Sequence, residues 1–152
     1  MPKTINHLRA EQILDSRGAP TIKVWVASAT ELVADSVASG KSSGIHEAVE
    51  LRDPDGRGMD IVLKTVNEII APALEGCEVD QKKVDEILIS LDGTKDKHRL
   101  GANTMIGISM ATASLTAKLA GKPLWQSISE SGSWQSKLPK WYLNIINGGV
   151  HA

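Results

Sequence analysis

The sequence predicts an α+β fold in which a three-stranded antiparallel meander is followed by about four helices. Two-residue alternation of apolar side chains runs through much of residues 4–37, and from residue 47 the apolar spacing becomes helical. The segments between the alternating runs are short and rich in turn-forming residues, so neighbouring strands are expected to pair antiparallel. Strands that precede helices in this way favour a helical layer on one face of the sheet.

The strands are defined by their alternation and by the turns between them. Ile22, Val24 and Val26 are separated by single residues that suit the other face of a half-buried strand. A turn-rich segment, residues 15–20, precedes this strand, and a short connection after it leads to the alternating run of residues 32–37. The two connections predict two hairpins and therefore a meander.

The first helices are placed by apolar spacing and by their end signals. Helical spacing begins at Met59, and we expect Pro72 to end that helix because its ring and missing N–H cannot continue the hydrogen-bond ladder. Before it, residues 47–51 are predicted to form a short helical turn. Asp80 suits the N-cap of a second helix, which residues 92–94 are expected to break.

The third helix is predicted over residues 102–120 and is built mainly from small residues. Small side chains on most faces let other elements approach closely, so we place this helix at the centre of the helical layer. Gly121 suits the position just after its end, and Pro123 opens a fourth helix that runs to about Ile128.

Composition restricts the classes of function. The chain has 152 residues, of which 41% are hydrophobic and 23% charged, and its formal net charge is −1. This near-neutral balance gives no reason to expect nucleic acid or a membrane surface as a partner. Residues 101–117 carry no charge but are too polar to span a bilayer. A single cysteine, Cys77, and an amino terminus without an apolar leader predict a cytoplasmic protein.

A loop of small, hydroxylated and cationic residues follows the third strand and is predicted to lie at one end of the sheet. Its residues are Ser39, Gly40, Lys41, Ser42, Ser43 and Gly44. Glycine allows close approach of a ligand, and serine offers oxygen, so the loop suits a flap over an oxyanion or a hard metal ion. The same composition is typical of an ordinary mobile loop, and on the chemistry alone that interpretation is favoured.

The last part of the chain differs in kind. Residues 129–137 have the composition of a polar linker, and residues 138–146 form an apolar segment that suits a buried strand. Residues 147–152 then combine a turn, two glycines and a histidine, as in a ligand-facing loop. Because such a strand is left without a following partner, we expect the chain to be a truncated form of a longer protein.

Six stretches, taken in order, resemble the amino-terminal part of enolase (phosphopyruvate hydratase). They are EQILDSRGAPT at 11–21, SGKSSGIHEA at 39–48, ELRD at 50–53, LDGT at 91–94, LGAN at 100–103 and NIINGGVHA at 144–152. Each is weak alone, but together they cover nearly the whole chain in the family's order.

The resemblance implies a domain organisation. Residues 1–128 would form the family's amino-terminal cap domain, residues 129–137 a linker, and residues 138–152 the start of a truncated α/β barrel. A barrel of this kind needs about 250 residues, so most of it would be missing from this chain.

The resemblance also implies a reaction, the dehydration of 2-phospho-D-glycerate to phosphoenolpyruvate by a Mg²⁺-dependent lyase of glycolysis. In the enolase superfamily a Lys or His base removes a proton next to a carboxylate, and Mg²⁺ stabilises the ene-diolate. In enolases the acid, the base and the principal metal ligands lie in the barrel. No catalytic residue is therefore expected here, and the chain is predicted to be inactive alone. The complete enzyme would bind substrate and product and form a homodimer.

Two site residues can be carried over from the family. Ser39 matches the loop serine that binds the second Mg²⁺ when the flap closes, and His151 matches the histidine after Gly-Gly that contacts the substrate. Without the resemblance, a lone histidine after two glycines is more typical of an ordinary loop. His46 is assigned to anchoring of the loop.

The remaining candidates are given structural roles. Asp15 and Arg17 could serve as an acid and a cation, but a turn with an Asx hydrogen bond and an exposed ion pair is the preferred interpretation. His7 and His98 are expected on the surface. Trp25, Trp125 and Cys77 are expected to be structural.

The loop also departs from the family pattern. Ala38 replaces a usual proline, which predicts a looser hinge. Lys41 stands in place of alanine and Ser43 in place of threonine. Lys41 could attract a phosphorylated substrate or simply lie in solvent, and the second interpretation is preferred. An alternative function is that of a non-catalytic binding or assembly module, which pairs with a separate barrel chain or with itself.

Overall fold

The computed structural model describes residues 3–40, 44–135 and 137–146. Its sheet contains β1 (His7–Leu14), β2 (Pro20–Ala27) and β3 (Leu32–Ser36) in the order β1-β2-β3. Both neighbouring pairs are antiparallel, with Ala10 opposite Val24 and Val24 opposite Asp35. The predicted meander is confirmed.

Alternation along β2 separates the core from the outer face of the sheet. Ile22, Val24 and Val26 are fully buried, whereas Lys23 and Trp25 are only partly buried on the other face. The helices cover the inner face, where apolar side chains from both layers form one core. The predicted strand pattern therefore also identifies the buried side.

Trp25 links two strands on the outer face, in agreement with its assignment as a structural residue. Its Nε1 donates to Glu11 Oε1 at 2.9 Å, and the side chains of Arg9 and Lys23 lie 5.0 and 4.7 Å from its ring centroid. The hydrogen bond from Trp25 and the nearby cations hold the pKa of Glu11 below its ordinary value.

The helical part contains one composite helix and three regular ones among the described residues. Its elements are α1 (Asp60–Lys64), a π-helical turn (Thr65–Ile70), α2 (Ala71–Leu74), α3 (Gln81–Asp92), α4 (Ala102–Leu119) and α5 (Leu124–Ser131). The order of three strands and then four helices is confirmed. Gly93 and Gly121 follow α3 and α4 with φ values of 65° each, which supports both predicted ends.

The prediction that Pro72 ends the first helix is wrong. The backbone stays helical through Ile70 and Ala71, and α2 continues to Leu74. A π-helical turn ends at Ile70, two residues before the proline. Its wider hydrogen-bond register changes the ladder at the point where proline lacks an N–H and would crowd the preceding turn. The helix therefore passes the proline without breaking.

The predicted helical turn at residues 47–51 is also wrong. Residues 44–47 form a turn, with Glu47 N donating to Gly44 O at 3.2 Å, and residues 48–53 are neither helix nor strand. Their backbone bonds instead to distant segments, since Val49 N donates to Asp96 O at 2.7 Å. Long-range hydrogen bonds have replaced the local ones that a helix would need.

Helix α4 lies at the centre of the helical layer, as predicted from its small residues. It packs against β2 and β3 on one side and contacts α3 and α5 on others. The described helices include none with the combined length and apolarity needed to cross a bilayer.

Helix α5 ends at Ser131, three residues beyond the predicted end at Ile128. Residues 137–146 contain neither helix nor strand, and their large apolar side chains are exposed. The predicted buried strand is therefore absent from this described segment, and the predicted domain boundaries stay predictions.

Replacing Asp80 by alanine is expected to lower the free energy of unfolding by about 1 kcal/mol. Asp80 is the N-cap of α3, as predicted, and its Oδ1 accepts a hydrogen bond from Lys83 N at 3.1 Å. Chemical denaturation followed by circular dichroism measures the change. Asp80→Asn keeps a capping oxygen and serves as the control. Equal loss in both variants would contradict the capping role.

Candidate functional site

The loop at residues 39–44 leaves the end of β3 from a well-held base. Val37 N donates to Ile22 O at 3.0 Å, and the buried Thr21 hydroxyl donates to Val37 O at 2.7 Å. Both bonds extend the pairing of β2 with the chain beyond Ser36, where β3 ends. The strand edge therefore fixes where the loop begins.

Ser39 is the first loop residue, and its hydroxyl joins two charged side chains. Its Oγ donates to Glu50 Oε2 at 3.1 Å and accepts from Arg52 Nη2 at 2.8 Å. The same Arg52 nitrogen donates to Glu50 Oε1 at 2.7 Å, which closes a three-membered group of side chains. We call this group, Ser39, Glu50 and Arg52, the clasp.

The two charged residues of the clasp, Glu50 and Arg52, are held in place by other elements. Arg52 Nη1 donates to Pro20 O at 2.9 Å, at the start of β2. The side-chain amide of Asn103 holds the backbone of Leu51, accepting from its N at 3.2 Å and donating to its O at 2.9 Å. Asn103 is buried in the first turn of α4. Glu50 and Arg52 are thus positioned by the sheet and by α4 together.

A second arginine holds the backbone of the same serine. Arg17 Nη2 donates to Ser39 O at 3.0 Å and to Asp15 Oδ2 at 2.9 Å. Asp15 Oδ1 accepts from the backbone N–H groups of Arg17 and Ala19, as the Asx-turn interpretation predicted. These hydrogen bonds, from Ala19 first and then Arg17, hold the pKa of Asp15 below its ordinary value.

The loop base and the clasp line an open cleft of about 780 Å³. Its charged residues are Arg17, Glu47, Glu50 and Arg52, with Gly40 and Gly44 at the loop side. Each arginine already pairs with a carboxylate, Asp15 or Glu50. The cleft is therefore polar. Because each of its arginines is paired with a carboxylate, neither offers an unpaired positive charge to an anion.

The described residues do not fit a magnesium site at Ser39. A hydroxyl has one proton to donate and two lone pairs, and the Ser39 hydroxyl already donates once and accepts once, which leaves one lone pair next to the Arg52 side chain. A cation bound there would lie beside the Arg52 guanidinium. Hard cations favour several carboxylate, carbonyl and water oxygens. No group of three or more His, Cys, Asp or Glu within the described part of the chain could hold a metal ion.

Four of the predicted site residues cannot be placed. Lys41, Ser42, Ser43 and His151 lie outside the described residues. His7 and His98 are exposed, as expected, and His98 pairs with Asp96. His46 is exposed as well, in the turn of residues 44–47, and its role in anchoring the loop stays a prediction.

The sequence did not indicate the clasp or the two hydrogen bonds between the Asn103 side chain and the backbone of Leu51. One signal was available for the clasp. In an extended segment, residues two apart point to the same side, so Glu50 and Arg52 would be neighbours if residues 48–53 were not helical. The incorrect helical turn at residues 47–51 concealed that relation.

The fold and this site define an α+β domain that presents a glycine-containing loop at one end of a three-stranded sheet. The family model described as "Enolase, N-terminal domain" matches residues 5–128. The chain is 45% identical to Enolase B of Dictyostelium discoideum over 98% of its length. It is 42% identical to an enolase of Thermococcus kodakarensis over 99% of its length, and 43% identical to Enolase 1 of Entamoeba histolytica over 98%.

This chain belongs to the enolase family, as its amino-terminal domain. It spans about a third of the length of the curated relatives it matches, since the alignments cover 35%, 36% and 36% of them. The family resemblance inferred from the six sequence stretches is thereby confirmed.

Proposed function

We propose that this chain provides the amino-terminal domain of an enolase that converts 2-phospho-D-glycerate to phosphoenolpyruvate and water. The observation that carries the proposal is the family match over residues 5–128, supported by enolases that align with almost the whole chain. Because the chain spans only about a third of those relatives, the proposal assigns the activity to a complete protein. The reaction class is that of a carbon–oxygen lyase.

The contribution of this chain to the reaction is its loop at residues 39–44. The loop starts from a base that is held by β2, by Arg17 and by the clasp. A loop with a fixed base and glycines can close over a bound substrate and exclude water from the reacting atoms. His151 is proposed to contact the substrate, as the family resemblance implies.

Mg²⁺ is the proposed cofactor. When bound, it would stabilise the negative charge that develops on the substrate carboxylate. The prediction that Ser39 ligates a second Mg²⁺ would place the ion beside the Arg52 guanidinium, which donates to the same oxygen, and the clasp geometry supports a different role for this residue. Most metal ligands in this proposal come from outside the described residues.

By itself the 152-residue chain is proposed to be inactive, because the proposed acid and base belong to the barrel. We further propose that the complete enzyme is a cytoplasmic homodimer that binds neither nucleic acid nor a membrane. The near-neutral charge of this chain supports the proposal that it does not bind nucleic acid.

Joining this chain to a barrel domain is expected to restore activity. The experiment uses the Dictyostelium enolase barrel without its own amino-terminal domain, either mixed with this chain or fused after it, in the presence of Mg²⁺. We expect formation of phosphoenolpyruvate, measured by its ultraviolet absorbance, with the joined proteins and none with either part alone. Proximity of the loop to the barrel site is the reason, since water exclusion needs both parts.

The barrel with its own amino-terminal domain, prepared in the same way, is the positive control. Turnover by the 152-residue chain alone would contradict its proposed inactivity. Binding of the chain to the barrel without turnover, when the control is active, would contradict the proposed function and favour the assembly module instead.

A further inference from the structure

The clasp has a geometry that a solvent-exposed ion pair would not need. Glu50 uses one carboxylate oxygen for Arg52 and the other for Ser39, while Arg52 uses one nitrogen for both and its second nitrogen for the Pro20 carbonyl. The Glu50 and Arg52 side chains are only 33% and 26% exposed. A planar guanidinium that donates from two nitrogens to fixed acceptors gives geometric specificity as well as charge.

The clasp also joins the segment at residues 49–52 to β2 and to the base of the loop. On one side are Leu51 and Val49, whose backbones bond to Asn103 and to the N–H of Ala102, the latter at 2.8 Å. On the other side are β2 and the loop base. Ser39 is the point at which these parts meet, since both its hydroxyl and its carbonyl are bonded.

We propose that Glu50 and Arg52 are positioning residues that fix the base of the loop through Ser39, and that the Ser39 hydroxyl serves this clasp rather than a metal ion. The expected effect of the clasp on catalysis rests on the proposed function, whereas its expected effect on the loop base does not. The clasp itself is a property of this chain.

Trypsin cleavage after Lys41 tests the clasp on the chain as it is. Lys41 is two residues beyond Ser39, and proteolysis requires local opening of the chain, so weaker anchoring of the loop base is expected to raise the rate of cleavage after Lys41. We expect Ser39→Ala and Glu50→Gln to accelerate this cleavage about fivefold, as for the loss of one net hydrogen bond. Mass spectrometry of the 1–41 product measures the rate.

Three comparisons separate local opening from general destabilisation. Cleavage after Lys140, in the exposed segment at residues 137–146, provides the internal reference, and cleavage after Lys64 reports global unfolding. Ser39→Thr keeps the hydroxyl and is expected to behave like the unmodified chain. Ser36→Ala removes an exposed β3 hydroxyl and is expected to have no effect. In the double variant, the effects of Ser39→Ala and Glu50→Gln should not add.

Two results would overturn the proposal. The first is cleavage after Lys41 in Ser39→Ala at the same rate as in Ser36→Ala. The second comes from the fused enzyme, where we expect Ser39→Ala to lower kcat without raising the Mg²⁺ concentration needed for half-maximal rate. A raised Mg²⁺ requirement would identify Ser39 as a metal ligand. If the fused protein has no activity at all, the proposed function is wrong. The cleavage experiment still tests whether the clasp holds the base of the loop.

Discussion

Asp92→Ala is expected to lower the free energy of unfolding by about 3 kcal/mol, because it leaves buried hydrogen-bond donors without an acceptor. Asp92 is 1% exposed at the end of α3. Its Oδ2 accepts from Leu100 N at 2.8 Å, and its Oδ1 accepts from the backbone N of Thr94 at 2.9 Å and from the Thr94 hydroxyl. The carboxylate thus closes the loop that leads from α3 to α4.

Asp96→Ala is the matched control for this prediction. Asp96 lies in the same loop and carries the same charge, but its side chain is 53% exposed and pairs with His98 at the surface. Exposed pairs contribute between zero and about 1 kcal/mol. Urea denaturation of both variants measures the difference. Asp92→Ala and Asp96→Ala with equal stability would show that the buried carboxylate is not required.

The same carboxylate predicts a dependence of stability on pH. Burial raises the pKa of Asp92, but hydrogen bonds from Thr94 and Leu100 and the charge of Lys97 outweigh it, and the pKa lies below its ordinary value. A lowered pKa means that the ionised form stabilises the fold above about pH 4, the unfolded value, and that this contribution is lost as pH falls through the folded pKa. Acid titration should therefore destabilise the unmodified chain more than Asp92→Asn. Parallel acid curves would contradict this assignment.

Gly107→Val is expected to lower the free energy of unfolding by about 3 kcal/mol through overpacking. Gly107 lies where α4 closely approaches the sheet. A Cβ atom there would lie 2.8 Å from Val24 Cγ2 and 2.8 Å from Val37 Cγ2, within the core. Both neighbours are buried and β-branched, so neither can turn aside easily.

Gly107→Ala tests the same contact with a smaller change. In an exposed helix interior this replacement would stabilise by about 1 kcal/mol, so a net loss of stability would isolate the close approach. Met110→Val places valine in the same helix at a side chain that is 43% exposed, and it is expected to change stability little. Thermal unfolding measures all three variants. A stabilised Gly107→Ala would show that the helix and sheet can separate without cost.

The elements that the sequence predicted well depend on neighbouring residues. The alternation around Val24 identified β2 and its buried face, and Asp80, Gly93 and Gly121 marked helix ends because caps act within one turn. The six stretches that resemble enolase likewise needed no coordinates. The family, the order of the elements and the central place of α4 were accessible for these reasons.

The predictions that failed depend on partners far along the chain. Residues 48–53 are neither helix nor strand, and Val49 and Leu51 bond to residues 96 and 103, which no local pattern indicates. The helix continues past Pro72 through a π-helical turn whose register the apolar spacing does not reveal.

By itself, then, the sequence determined the α+β class, the strand and helix order and the enolase family, since these follow from periodicity, capping and ordered local motifs. The tertiary structure alone decided that Glu50 and Arg52 meet Ser39, that Asn103 holds Leu51, and that Asp92 is buried. Each of these contacts joins residues whose separation along the chain carries no periodic signal. They form because tertiary packing brings these side chains within hydrogen-bond distance of their partners.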